Sequence, residues 1–405
     1  MKKALYINIG EEGHVNPTLG LVRDLVKRGD HIVYYSSNHF EEKIKKTGAQ
    51  FRAIDQEAQR KLTENMSLMA SQPKEYLLHF LNAMEMITDS ILEKISKETY
   101  DYIIYDAQSL PGKWVAHHRG LVSIATWTTF AFSQELKENM NLTGPKNIEQ
   151  KRERLAILQA FLQLEEIAKR KQYLEEKYEV PLSDNFLLCP GSGNLNIVFT
   201  SCYFQRNSKD FKDGYIFVGP SIAESETLND FPVDELKGRC VIYISMGTII
   251  NNQPEFYQKC FAALKDFNAK VILSIGKQLT AEQLGDIPDN FIVRNYLPQL
   301  DILRQTDVFI SHCGMNSTSE SLYFEVPLVM LPFINDQHTI AERVHELGAG
   351  FMLNIQQLSA ADLKHAVNEV LQHSIYKENA KEISQSFREA GGYIKAADEI
   401  ITFTR

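Results

Sequence analysis

Short apolar runs of strand type alternate with helical patterns along this chain, and they do so in two separate series. The first series predicts a strand over Ala4–Ile9, an amphipathic helix over Pro17–Lys27 and a strand over His31–Ser36. A helical region from about Glu57 to Lys97 follows, then strands at Tyr102–Tyr105 and Val122–Ala125. The alternation breaks around Phe217-Val218-Gly219-Pro220, and the acidic, polar stretch Ala223–Lys237 reads as a linker. A second series then runs through Val241–Ile244, Val271–Leu273, Phe291–Val293, Val308–Ile310 and Leu328–Met330. Strands that alternate with helices call for parallel sheets covered by helices. At 405 residues the chain exceeds one ordinary core. The expectation is an α/β protein of two Rossmann-like domains whose parallel sheets face a cleft. Its predicted parts are residues 1–215, a linker over 216–238, a second domain over 239–380, and a final helix over 381–405.

Ligands of open parallel sheets bind beyond the carboxyl ends of the strands. Two loops fall there, after Ile9 and after Ile310. In the second, Val308-Phe309-Ile310 stops at Ser311-His312-Cys313-Gly314, and a helical pattern begins at once. Strand, turn and helix N-terminus together leave backbone N–H groups and a positive dipole end pointing outward, which suits a phosphate. His312 and Ser317 add donors where a pyrophosphate would sit, and Glu320, one turn into the helix, can reach ribose hydroxyls. At the end of Val241–Ile244, Gly247 permits close backbone approach.

The first loop, Gly13-His14-Val15-Asn16-Pro17, has a proline suited to a first helical turn, which puts His14 just ahead of the helix. The positive dipole end there disfavours imidazolium and keeps the ring neutral, able to accept a proton. Asp106, at the carboxyl end of Tyr102–Tyr105, is the natural partner to fix its tautomer; Asp101 precedes that strand and sits at the wrong end. His117 and His118 lie in a helical pattern and read as surface residues, and His338 reads as solvated.

Composition narrows the partners. A net charge of −9 argues against nucleic acid, since a phosphate-binding face needs clustered Lys and Arg. The apolar run of Met1–Ile9 ends at Glu11-Glu12, too short for a signal peptide, and no stretch is long enough for an integral membrane segment. Cys189, Cys202, Cys240, Cys260 and Cys313 are scattered, with no Cys-x-x-Cys, and fit reduced thiols of a cytoplasmic protein. No histidine pair has metal-ligand spacing and no Asp-x-Asp occurs, so no metal or other cofactor is expected.

The segment from Asn295 to Gln337 resembles the nucleotide-sugar signature of the family 1 glycosyltransferases, GT-B enzymes that include plant secondary-metabolite and bacterial macrolide glycosyltransferases. The signature reads Tyr296-Leu297-Pro298-Gln299, then His312-Cys313-Gly314, Asn316-Ser317 with Glu320, Pro327, Pro332 and Asp336-Gln337. The resemblance implies that Thr248 donates to a phosphate, that Tyr296 stacks on the base where plant members carry Trp, and that Leu297 reads the base through its backbone. It further implies that Gln299 lies within reach of base or ribose and that Gly314, Asn316 and Ser317 belong to the donor site. Asp336 and Gln337 would hydrogen-bond the transferred sugar, Gln at the second position going with glucose. It also implies a His–Asp dyad at His14 and Asp106, an acceptor pocket shaped by the helical stretch Asn147–Tyr178, and a last helix that crosses back onto the first domain. Met315 replaces an aromatic of the plant pattern. Glu325 stands where the family usually has Gly.

These readings converge on an inverting glycosyltransferase. It would move glucose from UDP-glucose to a hydroxyl of an apolar acceptor such as a macrolide, flavonoid or other phenolic, giving a β-glycoside. A nucleotide-sugar epimerase of GT-B shape is opposed by the His14 motif and the aromatic-bearing stretch Trp127–Phe132. A dinucleotide-binding dehydrogenase would need a third glycine that Gly10-Glu11-Glu12-Gly13 lacks. A catalytically silent nucleotide-sugar-binding protein would not need both His14 and Asp106.

Overall fold

The computed structural model describes residues 1–65, 68–132, 164–182, 191–211, 213–223, 231, 233–247, 251–333 and 336–405. The chain divides into two compact units. One comprises Met1–Phe199, Asn207–Phe217 and Tyr393–Arg405; the other comprises Thr200–Arg206 and Val218–Gly392.

The first unit is built on seven parallel strands, β1 (Lys3–Ile7), β2 (His31–Ser36), β3 (Gln50–Ala53), β4 (Tyr102–Asp106), β5 (Val122–Trp127), β6 (Leu195–Val198) and β7 (Tyr215–Phe217), in the order β3-β2-β1-β4-β5-β6-β7. Ala4, Leu5, Tyr6 and Ile7 are wholly buried because helices cover both faces of the sheet, so β1 is apolar throughout rather than alternating. Its register, Ile7 opposite Tyr105, brings the ends of β1 and β4 side by side. Here the strand order reverses, and the loops after β1 and β4 flank the switch point.

Three strands of this sheet escape the apolar-run pattern. β3 is the half-polar Gln-Phe-Arg-Ala on one edge, and β7 is three residues on the other. β6 carries Asn196, buried because Trp127 Nε1 and the Gly193 N–H both donate to its Oδ1. The helix expected from Pro17 begins earlier, spanning Glu12–Lys27 with Pro17 inside it. Proline removes the N–H that the Gly13 carbonyl would accept in a regular helix, and the first turn is closed ahead of it by the Glu11 carbonyl, which accepts from both His14 and Val15. The region from Glu57 to Lys97 is three helices, Gln56–Asn65, Leu68–Ser71 and Pro73–Lys94. The helical stretch expected over Asn147–Tyr178 carries an apolar stripe of Leu155, Leu158, Phe161, Leu162 and Ile167, of which only Ile167 lies within the described residues; it is buried on the helix Glu165–Tyr178. Trp114, buried on the helix Leu110–His118, stacks on Tyr178 at 4.6 Å between ring centroids, while His117 and His118 are exposed.

The second unit holds six parallel strands, β8 (Val241–Ser245), β9 (Lys270–Ser274), β10 (Phe291–Arg294), β11 (Val308–Ser311), β12 (Leu328–Met330) and β13 (Gly350–Met352), in the order β10-β9-β8-β11-β12-β13. The order reverses between β8 and β11, whose last residues Ser245 and Ser311 are paired. The expected final helix is two helices, Ile375–Glu389 and Gly392–Phe403. Residues Tyr393–Arg405 belong to the first unit, where Arg28 Nη1 donates to Asp398 Oδ1 at 2.5 Å. Among the described residues no helix is long and apolar enough to cross a membrane.

The departure at Glu325 has a local cause. The helix Met315–Tyr323 closes with the Glu325 N–H on the Leu322 carbonyl and the Val326 N–H on the Ser321 carbonyl, a Schellman ending. That ending needs a left-handed residue, and Glu325 adopts φ +63°. A non-glycine residue there costs roughly 1–2 kcal/mol, part of which glycine gives back as entropy of the unfolded chain. Glu325→Gly should therefore raise the midpoint of the unit's thermal unfolding by about 1–3 °C, and Glu325→Ala should not. Calorimetry of the two variants beside the parent checks this.

Candidate active site

In the first unit, the loop and helix start after β1 present His14, and the end of β4 presents Asp106. His14 Nδ1 lies 2.9 Å from Asp106 Oδ2. Asp106 is buried, and its other oxygen accepts the Gln108 N–H at 2.9 Å. The carboxylate is thus fixed on both sides. Thr128 Oγ1, just beyond β5, sits 3.1 Å from the same His14 nitrogen. Nδ1 is therefore the hydrogen-bearing nitrogen, facing two oxygens, and Nε2 is the basic one. His14 lies within the first helical turn rather than ahead of it.

The backbone beneath His14 is held by Asn8, wholly buried at the end of β1. Its Nδ2 donates to the His14 carbonyl and its Oδ1 accepts the Gly10 N–H, both at 3.0 Å. Gly10 has no room for a side chain: a Cβ there would meet His14 Cβ at 2.5 Å. Sequence reasoning missed Asn8, Gly10 and Thr128 as parts of the site. The polar Asn8 ending the otherwise apolar run Ala4–Ile7 was the one signal available. Asp101 accepts the Lys3 N–H at the opposite end of the sheet.

In the second unit, Gly247 and Gly314 both press on the His312 ring. A Cβ on Gly247 would lie 2.5 Å from His312 Cε1, and one on Gly314 would lie 2.7 Å from Nε2. Gly247 is further committed by φ +75°. Burial pushes the His312 imidazole down to about 4, against a smaller opposing pull from the Ser245 backbone, so the ring is neutral near pH 7. Among the described residues His312 Nδ1 is buried without a well-formed hydrogen bond. Gly314 caps the helix Met315–Tyr323, and Thr318 is the residue whose N–H bonds back to the Gly314 carbonyl. The amides of Met315, Asn316 and Ser317 precede it, at the positive end of the helix.

Gln299 joins two of the remaining residues. Its Nε2 donates to Glu320 Oε2 at 2.6 Å and to Ser317 Oγ at 3.3 Å, and its Oε1 accepts from the Tyr243 hydroxyl at 3.1 Å. Burial pushes the Glu320 carboxyl up to about 7, with the Gln299 amide acting in the opposite sense. Tyr296 is 68% exposed on the loop after β10, and its neighbour Leu297 is buried. Asp336 and Gln337 lie in the first turn of the helix Asp336–Glu346. Gln337 Oε1 accepts the Phe333 N–H at 2.9 Å, and His338 is half-buried against the Phe333 carbonyl. Thr248 lies outside the described residues. Among the described residues no group of three His, Cys, Asp or Glu side chains is placed to hold a metal ion.

Residues 230–390 match the family described as UDP-glucoronosyl and UDP-glucosyl transferase. The chain is similar to the uncharacterized UDP-glucosyltransferase YojK of Bacillus subtilis, 40% identical over 99% of this chain and 97% of that relative. The chain belongs to the UDP-glycosyltransferase family. The NDP-glycosyltransferase YjiC of Bacillus licheniformis is 33% identical over 99% of this chain and 98% of its own length. Among solved structures, the glycotransferase of kitacinnamycin superposes with a TM-score of 0.84 at 25% identity, over 100% of this chain and 99% of that one. With two parallel-sheet Rossmann-like units and such neighbours, this UDP-glycosyltransferase has the GT-B fold.

A methyl group at Gly10 displaces His14. Gly10→Ala should lower kcat of this glycosyltransferase roughly 10–100-fold, as expected for misplacing a reacting group by about 1 Å. Its affinity for UDP should stay at the parent value; steady-state kinetics with calorimetric UDP titration tests both halves.

Proposed function

We propose that this UDP-glycosyltransferase transfers glucose from UDP-glucose to a hydroxyl of an apolar small molecule, with inversion to a β-glycoside and without a metal ion. The observation that carries the reading is the His14–Asp106 pair, 2.9 Å apart at the switch point of the first sheet. Asp106 holds the proton of Nδ1, and Nε2 takes the proton of the acceptor hydroxyl. As that proton leaves, the acceptor oxygen forms its bond to the anomeric carbon. The bond from that carbon to the β-phosphate oxygen breaks on the opposite face, and UDP departs with the electron pair. His312, Ser317 and the amides of Met315 and Asn316 are suited to meet the charge that grows on the phosphate.

Donor choice rests on Glu320, which accepts from the ribose hydroxyls, and on Asp336 and Gln337 at the sugar. Tyr296 offers the base a ring face, and Leu297 a backbone contact. The likeness to the uncharacterized UDP-glucosyltransferase YojK supports UDP-glucose as donor. An oleandomycin glycosyltransferase of Streptomyces antibioticus, 25% identical over 97% of this chain, supports an acceptor of macrolide type.

His14→Ala should lower kcat on an alcohol acceptor by about 10²–10⁴-fold while leaving donor affinity near the parent value. Asp106→Asn should cost less, since the imidazole stays but is poorly oriented. Near-parent turnover by His14→Ala would sink the dyad assignment.

Glu320 gives a second test. A carboxylate accepts hydroxyl hydrogens more strongly than a carboxylic acid. With its pKa pushed up to about 7, Glu320 is protonated below that pH and ionised above it. The dissociation constant of UDP-glucose should therefore fall as pH rises from 6 to 8. Glu320→Ala should weaken UDP-glucose by roughly 1.5–3 kcal/mol, flatten that pH dependence and narrow the preference over TDP-glucose, which lacks the 2′-hydroxyl. An unchanged donor ratio in the mutant would mean that Glu320 faces something other than ribose.

A further inference from the structure

We propose that Tyr243 is a positioning residue for donor selection: its hydroxyl anchors the Gln299 amide, and Gln299 in turn holds Glu320 for the ribose. This rests on the ribose role proposed above for Glu320.

Tyr243 lies in the middle of β8, 1% exposed, and stacks on Phe309 of β11 with ring centroids 4.8 Å apart and planes 8° from parallel. The two residues are also register partners in the sheet. A phenylalanine would fill this core position equally well, so packing alone does not account for the hydroxyl. A buried hydroxyl needs a partner, and this one donates to Gln299 Oε1 at 3.1 Å.

Hydrogen bonding here decides something sterics leave open. The two ends of a glutamine amide are nearly the same size, so only hydrogen-bond partners distinguish its two orientations. With Oε1 anchored by Tyr243 and the Glu320 carboxylate accepting on the other side, Nε2 faces Glu320 and Ser317 at 2.6 Å and 3.3 Å. In the reverse orientation an amide oxygen would face the Glu320 carboxylate, acceptor against acceptor. Three elements are thereby joined from the sheet centre outward: β8, the helix Gln299–Leu303 and the helix Met315–Tyr323. Burial already works against the charge on Glu320, and the Gln299 donor is what opposes it. Loss of the Tyr243 hydroxyl leaves Oε1 without its anchor and loosens the donor that Nε2 presents to Glu320.

The test is Tyr243→Phe, which keeps the ring and its stack on Phe309. Dissociation constants for UDP-glucose and TDP-glucose are measured by calorimetry, with kcat at saturating donor and a melting curve as a fold check. Removal of one hydrogen bond of ordinary strength corresponds to about a fivefold effect. The expected result is a UDP-glucose dissociation constant about fivefold higher, a nearly unchanged TDP-glucose constant, and a kcat that changes much less than either ratio. In a Gln299→Leu background the same substitution should have no further effect on the donor ratio. The proposal is overturned if Tyr243→Phe leaves UDP-glucose affinity at the parent value, weakens both donors alike, or acts undiminished without Gln299. Glu320→Ala separates the two layers. If that variant narrows the donor ratio and Tyr243→Phe does not, the relay is wrong and the ribose reading stands. If neither does, the ribose reading itself has failed.

Discussion

Parallel strand pairing with one reversal of order is the constraint on which both units depend. Where successive strands are laid down in opposite directions from a central one, the connecting helices leave on opposite faces, and the loops at the carboxyl ends part. In the first unit this happens between β1 and β4, in the second between β8 and β11. The same opening is put to different chemical use in each. After β1 four residues lead into the helix, and His14 rides on its first turn and faces the carboxylate that ends β4. After β11 the chain turns through Cys313 at φ +66° and reaches Gly314, and the first-turn amides of the next helix carry the site instead of a side-chain base. There the positive end of a helix favours an anion.

Glycine placement shows how closely the two sites depend on backbone approach. Gly10 leaves the space that His14 fills, and Gly247 and Gly314 lie against the ring of His312. Each imidazole is thus located by what its neighbours lack. The carboxylates are located differently, by hydrogen bonds: Asp106 by the Gln108 amide and His14, Glu320 by Gln299. Asn8 belongs to the same scheme, since it ties the Gly10 and His14 backbones together from inside the sheet.

Much of this was legible in the sequence where one strong local signal decided the structure. The central strands are apolar on both faces and are readable as continuous runs, whereas β3, β7 and β13 are short edge strands whose pairing comes from a neighbour rather than from their own composition. Pro17 misplaced a helix start because proline was read as a first-turn residue, while the Glu11 carbonyl lets the helix begin before it. The pairing of His14 with Asp106 was readable from strand ends alone. Thr128 was not, because nothing local marks a threonine after β5 as a neighbour of a histidine 114 positions away. Gln299 was expected within reach of the base or ribose; its bonds to Glu320, Ser317 and Tyr243 were not foreseen, since they are contacts between elements that no single segment encodes. Glu325 was an unexplained departure in sequence and has a plain account in structure, a left-handed helix ending that tolerates a costly residue.

The second unit also carries an electrostatic choice. His312 is neutral near pH 7, Ser317 is neutral, and the helix amides bear only partial charges, so on the proposed reaction the residues grouped at this loop would meet a phosphate without a formal positive charge. A lysine or arginine would attract the pyrophosphate in the bound donor almost as strongly as in the departing product. Oriented neutral donors in a low-dielectric loop respond more to where the new charge develops, on the bridging oxygen, than to the charge already present. They also leave the product less tightly held, which matters when release of the nucleotide can limit turnover. On the proposed reaction, the glycines that fix His312 therefore serve catalysis by keeping its donor stationary rather than by supplying charge.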